Sequence, residues 1–216
     1  GGDFRRTLQI PTDLDEAAAL IARDTHRPID IGQVRYAAHD GTTATHMFAN
    51  IASFGLSGKV DQFVNKSGKR FGRLSFAVAT VRAAIGYHNQ RVRLRFDDDP
   101  ASVRELTIST VAVANGKFFG GAMKIAPDAE PDDGLFDVVC LGDLGTLDVL
   151  TKGNRLYAGT HLTMPEVSAR RGRVVDAELV EAGQQVELDI DGENLGRLPA
   201  RFELHAHAVR MIAPVR

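Results

Sequence analysis

Two acidic clusters carry most of the chemistry that this sequence could perform. The first lies in residues 115–137, NGKFFGGAMKIAPDAEPDDGLFD, which hold five acidic residues, a double glycine and two prolines. A loop over 126–134 can bring a carboxylate and several backbone carbonyls to one point, which is how a hard cation such as Mg2+ or Ca2+ is held. The second cluster is Asp189-Ile190-Asp191-Gly192-Glu193. Asp191-Gly192 is a hairpin signal by itself, so the plainer reading is a surface turn between strands. The functional reading has Glu193 fixed on that turn and facing a cleft, where a carboxylate can accept the proton of an attacking hydroxyl. No other constellation competes. Serines occur without a glycine elbow, the seven histidines lack metal-site spacing such as HExxH, and no GxxxxGK[ST] loop occurs. His205 and His207 alternate along one strand face, which points to a structural role. Arg170, Arg171 and Arg173 could meet lipid headgroups, but a solvated edge strand is the more ordinary use of such a run.

These clusters must be positioned by a strand-rich scaffold. Residues 111–114 read as a buried strand. Asn115-Gly116 then reads as a two-residue type I′ turn, with 117–125 returning antiparallel and 135–141 as a third strand. Gly120-Gly121 would let a backbone or ligand approach closely. Further strands are expected over 25–31, 34–39, 46–54, 91–96, 105–114, 166–173, 174–180, 185–189 and 201–212. Helices are expected over 14–23, capped by Thr12 or Asp13 with Glu16 in a capping box, and over 59–65, 74–85 and 144–156. The turn Asp97-Asp98-Asp99-Pro100 reads as solvated. Strands outnumber helices and many turns are short, so the expected class is mainly β with some α, an antiparallel sandwich with a few helices attached. The helical stretch before residue 27 lacks that character and reads as the tail of another domain.

The chain has 216 residues, 44% hydrophobic and 25% charged, with a net charge of −2. That is an ordinary globular composition and gives no electrostatic reason to expect nucleic acid. The single cysteine, Cys140, sits in an apolar run and reads as a small buried hydrophobe. One cysteine excludes an internal disulfide framework and fits a reducing, cytoplasmic compartment. No run approaches the ~18 apolar residues of a membrane span. The chain opens on Gly1-Gly2-Asp3-Phe4 without a methionine, and the expectation is that an N-terminal part precedes it.

The spacing of several motifs resembles the bacterial diacylglycerol kinase family of lipid kinases, with the sphingosine and ceramide kinases as relatives. Gly2-Asp3-Phe4 resembles the end of that family's GTxNDFA motif, with Gly2 where the family has asparagine. Arg27-Pro28-Ile29-Asp30-Ile31-Gly32 looks like its strand entering the second domain. Phe48-Ala49-Asn50 with Gly55 matches FxNxxxxG. Asn115-Gly116, Gly120-Gly121, Ala126-Pro127-Asp128-Ala129, the specific Asp132-Asp133-Gly134-Leu135-Phe136-Asp137, Gly159-Thr160-His161 and Asp191-Gly192-Glu193 with Pro199 follow in order. The resemblance runs over nearly the whole chain. The family's GGDGT motif for ATP phosphates is absent here.

The resemblance implies the antiparallel β-sandwich of the two-domain diacylglycerol/NAD kinase-like fold. Residues 1–26 would be the tail of the N-terminal nucleotide-binding domain, and 27–216 the lipid-binding sandwich. It implies transfer of the ATP γ-phosphoryl group to a lipid hydroxyl, with ATP and Mg2+ as cofactors, this chain alone being inactive. Glu193 resembles the general base. Asp133, with the backbone carbonyls of Glu130 and Leu135, resembles a structural magnesium site. Asp3 and Asp191 fall in segments lining the nucleotide cleft. The implied partners are a lipid alcohol, ATP and a membrane surface met peripherally. A homodimer stays open. The alternatives are a NAD kinase-like nucleotide kinase and a non-catalytic lipid-binding sandwich.

Overall fold

The computed structural model describes residues 2–60, 83 and 85–214. Two short helices come first, α1 (Gly2–Thr7) and α2 (Leu14–Ala22). Asp13 caps α2, its carboxylate accepting from the N–H groups of Asp15 and Glu16 at 3.0 Å each. Eleven strands follow among the described residues: β1 (His26–Ala38), β2 (Thr43–Phe48), β3 (Ile51–Gly55), β4 (Gln90–Phe96), β5 (Arg104–Ile108), β6 (Thr110–Ala114), β7 (Phe136–Leu141), β8 (Val167–Gly172), β9 (Val174–Leu179), β10 (Glu187–Ile190) and β11 (Glu193–Ile212). One longer helix, α3 (Thr146–Ala158), connects β7 towards β8. Residues 56–60 are helical; the rest of the helix expected over 59–65, and most of that over 74–85, lie outside the described residues.

Every strand pairing is antiparallel. The order is β5-β4-β9-β11-β10-β3-β6-β7-β8, with β1 on β11 and β2 on β1. The 20-residue β11 organises it. It pairs with β1 along most of its length, with β10 near its start and with β9 further on. The sheet therefore curls into two layers. Between them lie the aromatic side chains Phe48, Phe54, Phe136 and Phe202, from β2, β3, β7 and β11. Phe48 stacks on Phe136 at 5.6 Å between centroids and Phe54 on Phe202 at 6.1 Å. Such pairs contribute about 0.5–1.5 kcal/mol each beyond the area they bury.

β3, β6 and β7 are buried at every position, on both faces. Val111 and Val113 face the inter-layer core, while Ala112 and Ala114 face a second cluster with Ile51, Ile125, Leu141, Leu144 and Met164. The covering material on that second face is the 115–135 loop and α3. Cys140 belongs to the first core, as expected of a buried hydrophobe, and burial pushes its thiol up to about 12. Among the described residues no helix is long and apolar enough to cross a membrane.

Candidate functional site

The 115–135 stretch differs from the hairpin expected of it. β6 pairs with β7, and the residues between run as a loop whose only ladder contact is the isolated bridge Phe119–Met123. Neither Asn115 nor Gly116 has the positive φ that a type I′ turn needs. The reason is that Asn115 is fully buried and spent on tertiary bonds. Its Nδ2 donates to the carbonyls of Asp30 and Ala49 at 2.8 Å each, and its own N–H and that of Gly116 donate to Asn50 O at 2.9 Å. Asn50 answers by donating Nδ2 to Phe118 O at 2.9 Å. A Cβ on Gly116 would lie 2.2 Å from Asn50 Oδ1, so this approach needs glycine.

The second acidic cluster is the turn that its sequence suggests. Ile190 pairs with Glu193, and Asp191 (φ 50°) and Gly192 (φ 90°) turn between β10 and β11. Asp189 is nearly buried and accepts from Gly192 N at 2.7 Å. The Asp191 carboxylate accepts the backbone N–H groups of Ala49, Asn50 and Ile51 at 2.8, 3.1 and 2.9 Å. Those donors occupy Asp191 as an anchor between β2 and β3. Glu193, one residue past the glycine, is exposed.

Asp3, at the start of α1, reaches the same region. Its carboxylate accepts from Gly121 N and Ala122 N at 2.9 Å each and pairs with Arg6 at 2.6 Å. Asp3, Asn50, Asn115 and Asp191 thus belong to one hydrogen-bonded network around the double-glycine loop.

Asp30 extends that network to the acidic loop. It is fully buried, at the bulge where β1 and β11 lose register between Ile29 and Ile31. Its two oxygens accept from Gly134 N and His207 N at 2.7 Å each, and its own N–H donates to Pro131 O at 2.7 Å. Arg27, also buried, pairs with Asp132 at 2.7 Å. His207 sits at φ 52° and meets Asp132 O at 3.1 Å, and His205 meets Gln33 at 3.0 Å, the structural roles expected of both.

In the loop itself, Asp133 accepts from Leu135 N at 3.0 Å and forms an ion pair with Arg171. Glu130 pairs with Lys117 at 3.1 Å. Burial raises the pKa of Asp137, with Asp133 and Asp128 adding to the rise and Arg171 opposing it. The loop's carboxylates on Glu130, Asp132 and Asp133 are each paired with a cation, Lys117, Arg27 and Arg171, and oxygen donors of this kind suit a hard cation. Among the described residues no three His, Cys, Asp or Glu side chains converge as a metal cluster, so a cation here would rest on Asp133 and backbone carbonyls. The basic run is also accounted for: Arg171 is paired, and Arg170 lies over the Phe96 ring at 4.5 Å. The aspartate turn is structural, with Asp97 accepting from Arg173 N and Val174 N and Asp98 gripping Arg201.

Beneath α3 lies an apolar cavity of about 80 Å3. Leu56, Val60, Phe119, Met123, Leu144 and Leu156 form much of its wall, with buried His161 beside them. Phe119 and Met123 flank the double glycine, so one wall of the cavity is the segment that Asp3 holds. Gly159 closes α3 in the left-handed conformation (φ 73°), and His161 Nε2 then donates to Ile125 O at 2.9 Å. Sequence reasoning singled out Asp3, Glu130, Asp133, Leu135, Asp191 and Glu193. It read Asp30 only as part of a strand and gave Arg171 no partner in the acidic loop.

An antiparallel β-sandwich, closed by an acidic loop and an Asp-Gly-Glu turn, is the class that this fold defines. A family model described as the YegS C-terminal NAD kinase beta sandwich-like domain matches residues 50–213, and the chain belongs to that family. A Mycobacterium tuberculosis protein named "Diacylglycerol kinase" is 25% identical over 215 residues, covering 99% of this chain and 66% of its own length. A Pseudomonas aeruginosa protein named "Probable lipid kinase YegS-like" is 31% identical over 221 residues, covering 98% of this chain and 65% of its own. The crystal structure of a diacylglycerol kinase from Bacillus anthracis superposes with a TM-score of 0.65 at 22% identity, over 98% of this chain and 63% of that one, a likeness of fold. The chain spans just under two thirds of the length of these relatives.

Proposed function

We propose that this chain is the lipid-binding and proton-accepting part of a lipid kinase that moves the γ-phosphoryl group of ATP to a lipid hydroxyl. Residues 1–26 belong, in this reading, to the end of the nucleotide-binding unit. The observation that carries it is the apolar cavity under α3, one of whose walls is the double-glycine segment held by Asp3. Its lining is dominated by apolar side chains, which suits part of a hydrocarbon chain and not a soluble nucleotide. The relatives' names point the same way.

ATP with Mg2+ supplies the phosphoryl group and neutralises its charge when bound. The chain's own residues do the rest. The cavity takes part of the acyl chain of a lipid whose hydroxyl lies outside it. Glu193 orients that hydroxyl and accepts its proton, while Asp191, tied to three N–H donors, fixes the turn. Asp133, with the carbonyls of Glu130 and Leu135, would hold a structural Mg2+, which would fix the acidic loop.

The test is transfer from labelled ATP to a panel of lipid alcohols, run on this chain and on a form extended N-terminally. Activity is expected in the longer form only. Glu193→Gln in that form should lower turnover by about 10²–10⁴-fold while lipid binding survives. Unchanged turnover would sink the assignment of Glu193. Inactivity on every lipid, with transfer to NAD instead, would move the reading to a nucleotide kinase.

A further inference from the structure

We infer that the outer face of α3 is a docking surface for a lipid bilayer, placing the cavity mouth at the membrane. This rests on the lipid reading of the cavity. α3 has two unlike faces. At 3.6 residues per turn, Asp148, Lys152 and Leu156 fall on one side, and all three line the cavity. Leu147, Thr151, Asn154, Tyr157 and Ala158 fall on the other, and all five are exposed. None of those five is charged, in a chain that is 25% charged. Leu147 is 73% exposed and Tyr157 40%.

The residues that lead into α3 are tied to an earlier segment. Asn89 donates to Asp143 and Leu144 O at 2.7 and 3.0 Å, which fastens the 85–89 segment beside the start of α3. Ile85 in that segment is 67% exposed. Leu147 and Tyr157, two of the seven large apolar side chains exposed among the described residues, therefore lie on this one helix face. The charges of α3 lie at the sides of the face. Asp148 and Lys152 pair with each other at 2.8 Å, and exposed Arg155 remains to meet an anionic headgroup. An uncharged face with leucine, tyrosine and a flanking arginine suits the headgroup–acyl boundary, where leucine enters the acyl region. A lipid alcohol could pass from the bilayer to the cavity without crossing water.

The chain has no tryptophan, so Leu147→Trp installs a single indole reporter. Phosphatidylcholine–phosphatidylglycerol vesicles should shift its emission to the blue, and brominated lipid should quench it. Leu147→Glu with Tyr157→Glu should weaken vesicle co-sedimentation about tenfold or more, while a monomeric short-chain lipid alcohol still binds. The proposal is overturned by unquenched indole emission, by undiminished vesicle binding of the double variant, or by a wild-type chain that ignores vesicles. Burial of the face in a second copy, seen as a concentration-dependent dimer that the double variant abolishes without any effect of lipid, also overturns it. Loss of short-chain binding in the wild type would instead refute the cavity reading and leave the docking result to stand by itself.

Discussion

Asp30 offers the sharpest test of how the acidic loop is held. Its side chain is fully buried and both oxygens are occupied, by Gly134 N from the loop and by His207 N from the β11 bulge, at 2.7 Å each. A hydrogen bond to a charged group contributes about 1.5–3 kcal/mol net. Asp30→Ala removes two such bonds and leaves two N–H donors facing a small void, so the expected cost is about 3–6 kcal/mol. For a chain of 150–250 residues each kcal/mol moves the melting temperature by about 2–4 °C, so a fall of roughly 6–24 °C follows. Asp30→Asn keeps the shape but turns one acceptor into a donor that faces another donor. It should lose about half as much, with one bond retained.

The assay is urea unfolding of the three proteins, with the midpoint read at constant slope so that the denatured state is comparable. Proteolysis supplies the local readout: in both variants, cleavage within 130–135 should precede global unfolding. A loss below about 1 kcal/mol for Asp30→Ala would refute the clamp, because bonds at these distances in a dry site cannot be that weak. Equal losses for the two variants would mean that the second oxygen contributes nothing.

Two further outcomes follow from the site. Burial lowers the pKa of His161 from the ordinary 6.5, so on acidification the unfolded chain takes up a proton before the folded one does. Stability is then full above pH 6.5 and declines below it, at no more than about 1.4 kcal/mol per pH unit for one proton. Melting curves between pH 7.5 and 5.5 should show a shallower decline in His161→Gln, and an identical slope would contradict a buried neutral imidazole. For the loop, added Mg2+ should raise the melting temperature of the wild type but not of Asp133→Ala, and a matching rise in both would remove Asp133 from the ion site.

The strands were legible where period and turn chemistry agreed. β4 alternates Val92, Leu94 and Phe96 inward, and β7 and β9 begin and end within a residue of their expected bounds. The expected strand over 105–114 is broken at Ser109, which donates its N–H to Leu141 O and Gly142 O and takes Leu56 N on its carbonyl. The expected strand over 117–125 failed for a related reason. Asn-Gly reads as a turn when only its neighbours in sequence are considered, but Asn115 is bonded to residues 85 and 66 positions away.

The candidate site divides along the same line. Asp191-Gly192 was readable because its turn is made by its own two backbone angles. The role of the Asp191 carboxylate was not, because its three donors lie about 140 residues earlier in the chain. Asp30 shows the one clue that sequence could have offered. An acidic residue between Ile29 and Ile31, in a strand that is otherwise buried on alternate positions, must either face water or meet buried donors. Ile29 and Asp30 are both fully buried, so the alternation breaks there and a bulge has to supply N–H groups. The β11 bulge at His207 and the turn at Gly134 do so, and through them the first strand of the sandwich fixes the loop that carries Asp133.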